Sequence, residues 1–154
     1  VVALHSGHSE EIAAYTLTAF ALGALIGAVP VGYLGDRFGR PLVLRVLYVL
    51  AVVASWVLTF TLTSPLLLLG SLFAFGLLIP GIYNTSLAQL ADDKSPEELA
   101  AANATFGTLY AGASIIGPLL FGTAMSISDP MGAPALLSLI LSLAMIVVFV
   151  RKSA

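Results

Sequence analysis

Cysteine is absent from all 154 residues, which excludes disulfide frameworks and thiolate metal sites. Charge is almost as scarce. Asp, Glu, Lys and Arg together make up 9% of the chain, against about a quarter in ordinary soluble domains. The formal net charge of -2 leaves no basic surplus, so there is no electrostatic footprint for nucleic acid. No H-E-x-x-H pair and no nucleophile beside a base occurs at helical spacing, so an intramembrane enzyme is not supported. The first ten residues lack the charged and apolar regions of a signal peptide, and the chain opens on Val1; it reads as part of something longer.

What fills the chain instead is hydrocarbon. Apolar residues are 59% of the total and the mean hydropathy is +1.05, more apolar surface than a soluble fold of this size can bury. Five apolar segments, at about residues 12–34, 41–62, 65–90, 96–127 and 134–150, are each long enough to cross about 30 Å of hydrocarbon at ~1.5 Å per residue. Only short polar joints separate them, such as Ser64-Pro65 and Asp129-Pro130-Met131-Gly132-Ala133-Pro134. The predicted fold is therefore all-α: a polytopic bundle of five membrane-spanning helices in a lipid bilayer. The fourth helix carries its own start signal, since Ser95 can cap, Pro96 suits the first position and Glu98 completes a capping box.

Basic residues set the orientation. Arg37, Arg40 and Arg45 flank the first joint, Lys94 lies in the third, and Arg151 with Lys152 follows the fifth segment. Five crossings bring these clusters to one side, which the positive-inside rule makes cytoplasmic, with the N-terminus outside. Arg45 lies one turn into the second segment, where its stem can snorkel back to the interface. Gly23 and Gly27 form G-x-x-x-G in the first segment, Gly107 and Ala111 repeat that spacing in the fourth, and Ala113, Gly117 and Gly122 continue a small-residue surface there; both are expected to allow close helix approach. Pro80 and Pro118 each free a backbone carbonyl near mid-membrane, where a bend or hinge is expected.

The most specific stretch is Gly32-Tyr33-Leu34-Gly35-Asp36-Arg37-Phe38-Gly39-Arg40, a charged turn between two apolar segments. It resembles the signature loop of the major facilitator superfamily, G-x-L-(A or G)-D-(R or K)-x-G-R, through Gly32, Leu34, Asp36, Gly39 and Arg40. Pro41 departs from the pattern, because the family usually continues with another basic residue. An acidic joint followed by Ala100 to Ala104, then Gly112 to Gly122 around Gly117-Pro118, resembles the family's tenth-to-eleventh joint and eleventh helix. On that alignment the segments are helices eight to twelve of the C-terminal half. The alternative, helices two to six, predicts an arginine early in the third segment and a basic residue beyond Lys94 in the joint; neither is present.

This resemblance implies secondary active transport of a small solute by alternating access, the chain supplying most of one half and the missing N-terminal half of the same carrier the rest. Asp36 would lock the closed state against a helix N-terminus of the other half, Arg37 and Arg40 would brace the loop by charge pairing, and Gly32 and Gly39 would let helices meet. Segments one, three and four would line the cavity, and two and five would face lipid. Thr16, Tyr83, Asn84 and Tyr110 are the candidate substrate contacts, Asn84 foremost because it follows the Pro80 break. No Asp, Glu, Lys, Arg or His occupies the middle third of any segment, so a proton-coupled cycle would draw its carboxylate from the other half. His5 and His8, with Glu10 and Glu11 nearby, are expected in a hydrated loop and not at a metal site. No cofactor is expected. The setting implied is a bacterial plasma membrane. A non-transporting structural or receptor-like bundle is the alternative function; it would explain the glycines but not the Asp36 loop.

Overall fold

The computed structural model describes residues 2–92 and 94–150; Arg151 and Lys152 of the orientation argument lie outside them. The elements are α1 (Val2–His5), α2 (Glu10–Phe38), α3 (Arg40–Phe60), α4 (Pro65–Ala91), α5 (Pro96–Ile127) and α6 (Gly132–Val150), with no strand among the described residues. Helices α2 to α6 run 29, 21, 27, 32 and 19 residues, and each is long and apolar enough to cross a membrane. The short α1 precedes the first expected segment and has no counterpart among the five.

Local chemistry places the helix ends. The Ser9 hydroxyl accepts from the Ile12 amide, and Glu10 and Glu11 fill the first turn of α2, where the helix dipole favours negative charge. Pro65 opens α4 from a position that needs no amide donor. Ser95 and Glu98 form the expected capping box on α5, exchanging bonds of 3.3 and 2.9 Å. The signature stretch is less of a loop than expected. Residues 35–38 continue α2, and Gly39 alone separates it from α3. Its φ of +88° lies where side chains are disfavoured, and its amide donates back to the Gly35 carbonyl at 3.0 Å.

Packing centres on α4, which lies against α2 along much of its length and against α3 on another face. At the α2–α4 crossing, Gly23 faces Phe73 and Gly76, Gly27 faces Leu77, and Gly76 faces the Phe20 carbonyl so closely that no β-carbon fits. This is small-residue packing between backbones, the contact expected where water supplies no hydrophobic drive. Helices α3 and α6 also pack together, and Ser55 of α3 and Ser138 of α6 are fully buried, their hydroxyls returning to the Val52 and Pro134 carbonyls of their own helices. In contrast, α5 packs chiefly on α6 and lightly on α4, and no residue of α5 is buried among the described residues.

The same small-residue spacing therefore has two outcomes. In α2 it is packed, while Gly107, Gly112, Gly117 and Gly122 of α5 have no atom within 4 Å of the place a β-carbon would take. The close approach expected at Gly117 is not made among the described residues. Likewise Gly32 faces open space and is no site of helix contact here. The helices run unbroken through Pro30, Pro80 and Pro118.

Candidate functional site: a charged elbow and two cavities

Two interaction sets define the ends of the chain. At one end, the α2–α3 elbow meets the α4–α5 joint. Arg40, the first residue of α3, donates to the Ala88 carbonyl at 2.8 Å and forms a close ion pair with Asp92 at the end of α4. Its other nitrogen lies 3.7 Å from Asp36. One guanidinium thus ties the end of α2, the start of α3 and the last turn of α4, a fork geometry that lysine cannot reproduce. Arg37, expected to pair with charge, instead donates to the Tyr33 hydroxyl at 2.8 Å and lies 5.6 Å from the Phe38 ring centre. It has no carboxylate partner among the described residues.

The opposite end is fastened by the two histidines. His5 Nδ1 lies 2.8 Å from Asp129 in the α5–α6 connection, and His8 Nε2 donates to the Leu62 carbonyl in the α3–α4 connection at 2.6 Å. The N-terminal segment is therefore a strap across two loops, not the free hydrated loop that sequence spacing suggests.

Two cavities follow from this frame. Beneath the elbow a space of about 170 Å³ is lined by Gly32, Asp36, Arg40, Asn84, Thr85 and Ala88, among others. Nearer the strap a larger one, about 710 Å³, has an almost wholly apolar wall that includes Thr16, Leu72, Pro118 and Met125. The four candidate substrate contacts are consequently divided. Asn84 joins the signature residues at the smaller cavity. Thr16 is buried beside the larger one with its hydroxyl already given to the Ala13 carbonyl at 2.6 Å. Tyr83 and Tyr110 meet edge to face at 5.7 Å, and Tyr83 also meets Phe106 at 5.4 Å. This aromatic group bridges α4 and α5. Sequence reasoning misses Asp92 and the Phe106 contact, and only the acidity of the α4–α5 joint points towards the first.

Whole-chain comparison agrees with the elbow. The family profile described as Major Facilitator Superfamily matches residues 1–154. The chain belongs to the major facilitator superfamily. As a member of this superfamily it is an integral membrane protein of a transporter family and not an enzyme. It is 30% identical over 122 residues to an uncharacterized MFS-type transporter, YfkF, of Bacillus subtilis (strain 168), covering 79% of this chain and 31% of the relative. It is also 30% identical over 115 residues to an uncharacterized MFS-type transporter, YcaD, of Escherichia fergusonii, covering 74% of this chain and 29% of that relative. The chain thus spans under a third of the length of these relatives. No solved structure matches it.

The Arg40 fork gives a direct expectation. Arg40→Lys keeps the charge but cannot hold Ala88, Asp92 and Asp36 together, and the pairs are partly exposed, so screening limits the loss to on the order of 1 kcal/mol. In this major facilitator chain, amide exchange over residues 88–92 is expected to speed up severalfold in Arg40→Lys. Exchange as slow as in the parent would remove Arg40 as the tie between α3 and α4.

Proposed function

We propose that the chain supplies helices eight to twelve of an alternating-access carrier for a small solute, five of the six in one half, in a bacterial plasma membrane. The observation that carries this reading is the elbow. Asp36 stands 75% exposed at the tip of α2, paired only loosely with Arg40 at 3.7 Å, while Arg40 locks the surrounding helices, so the carboxylate presents most of its surface to a partner from the other half on a rigid support. A plain charged turn needs no such bracing. The Asp36 carboxylate would dock on a helix N-terminus of that half, where amide groups and the helix dipole favour a negative charge.

The same geometry supports the proposed orientation. Arg37, Arg40, Arg45 and Lys94 all belong to the elbow end, whereas His5, His8, Glu10, Glu11 and Asp129 occupy the strap end. The positive-inside rule makes the elbow cytoplasmic and the N-terminal strap external. In the assembled carrier, Asn84 beneath the elbow and the Tyr83–Tyr110 pair on α4 and α5 would face the solute path, with Pro80 and Pro118 as hinge positions. The carrier would take its coupling carboxylate, if protons drive it, from the other half.

The chain itself has no cysteine, so a labelling test on a cysteine-free full-length background leaves this part of the sequence unaltered. In the full-length protein, Tyr83→Cys, Asn84→Cys and Tyr110→Cys are expected to react with a membrane-impermeant thiol reagent added from the elbow side, and to be protected by a transported solute. Three inert cysteines, in protein that is folded by size-exclusion chromatography, would remove the water-filled path and favour a non-transporting bundle.

A further inference from the structure

A third cavity, on another face of the elbow end, has features that alternating access does not use. It lies between the start of α3, the end of α4 and the last turns of α6, encloses about 610 Å³, and is lined by Arg45, Ser86, Gln89, Lys94, Leu44 and Val148, among others. That volume is in the range of about 300–1,000 Å³ typical of small-molecule sites. Two cations converge on it from different elements, one in α3 and one in the α4–α5 joint. Arg45 is held by the Phe149 ring, with its guanidinium carbon 5.8 Å from the ring centre. Asp92 also borders the cleft, but its carboxylate is taken by Arg40.

Gln89 supplies an independent signal. Its side-chain oxygen, Oε1, is buried and has no hydrogen-bond partner among the described residues. An unpaired buried acceptor has given up its bond to water without a replacement, which favours a donor at that place. A ligand with a hydroxyl would satisfy it. The remainder of the wall, Pro41, Leu44, Leu90 and Val148, is apolar. The cleft thus offers two positive charges, one acceptor in need of a donor and a greasy flank at the level where helices leave the hydrocarbon.

We infer that this cleft binds the head group of an anionic phospholipid of the phosphatidylglycerol type. The phosphodiester sits between Arg45 and Lys94, a head-group hydroxyl donates to Gln89 Oε1, and the acyl chains follow Leu44 and Val148 into the bilayer. Basic pockets between helices at a membrane surface favour anionic lipids by about 1 kcal/mol per cation. The inference rests on the chain lying in a membrane, and not on its transport cycle.

The test is native mass spectrometry of the full-length protein in mild detergent, titrated separately with phosphatidylglycerol, phosphatidylcholine and phosphatidic acid. Phosphatidylglycerol is expected to be retained in preference to phosphatidylcholine, and Arg45→Ala with Lys94→Ala to weaken it on the order of thirtyfold. Lys94→Ala alone, in an exposed joint, should weaken it about fivefold and serves if the double variant fails to fold. Gln89→Leu should narrow the preference for phosphatidylglycerol over phosphatidic acid, which lacks the head-group hydroxyl. Arg37→Ala removes the same charge from the same end outside the cleft and should leave retention unchanged. Equal retention of phosphatidylglycerol and phosphatidylcholine, unaffected variants, or an equal loss in Arg37→Ala would overturn the site. Displacement of the lipid by millimolar inorganic phosphate would make it a soluble-anion site instead. Each readout is independent of solute flux, so failure of the carrier reading and failure of this one are separable.

Discussion

Gly76→Val is expected to leave almost no folded protein in the membrane. Gly76 lies where α4 crosses α2, and a β-carbon there would collide with the Phe20 carbonyl and press on Ala24. Both obstacles are backbone atoms of a continuous helix, so no side-chain rotation relieves them. Overpacking of a core commonly costs about 1–3 kcal/mol when side chains can shift, and more is expected where they cannot. The α2–α4 contact is also the most extensive in the chain, so loss of it removes the frame for the elbow. Gly70→Ala is the matched control, because Gly70 is in the same helix with open space around it, and alanine is the better helix former by about 0.5–1 kcal/mol. Size-exclusion profiles in detergent separate the two: the valine variant should aggregate and the alanine variant should run as the parent. A monodisperse Gly76→Val protein would mean that the two helices do not meet at this point.

Asp36→Asn is expected to reduce transport by the full-length carrier at least tenfold without loss of fold. A docked carboxylate at a helix N-terminus is stabilised by up to ~2 kcal/mol in partly buried geometry, and the amide forfeits the charge while keeping the size. Because Asp36 is exposed and its nearest cation stands at 3.7 Å, little stability within this chain depends on it. The accompanying signature is conformational. With the elbow-side closure weakened, Asn84→Cys beneath Asp36 should react severalfold faster with an impermeant thiol reagent when combined with Asp36→Asn. Unchanged flux and unchanged labelling would reduce Asp36 to a solvated turn residue.

Helix number, class and approximate extent are legible from hydropathy, because long apolar runs between brief polar joints admit few alternatives in lipid. The capping box of Ser95 and Glu98 is legible for a different reason: every group involved lies within four residues. Hydropathy ends the first long helix near Leu34, yet it continues to Phe38, since a charged stretch with glycines resembles a loop while its backbone still satisfies helical bonds. The α1 segment is too short for a periodic signal. Contacts distant in sequence are the least visible. Nothing near Arg40 names Asp92, 52 residues on, and nothing near His5 names Asp129, 124 residues on. Glycine spacing shows which helix faces permit close approach, but not which neighbour makes it. Gly23 meets Phe73 whereas Gly117 meets nothing. The candidate substrate residues stand out for polarity in an apolar setting, a criterion that ignores direction, and so they are split between separate cavities.

The single glycine between α2 and α3 has a mechanical outcome. Two helices joined by one residue, and pinned by Arg40 beside the joint, have no slack in which one can slide past the other. They form a stiff bracket. Any tilt imposed on the Asp36 tip must therefore carry α3, and through the packing of α3 on α6 the last helix too, in the same stroke, so this part of the molecule turns as one block instead of flexing helix by helix.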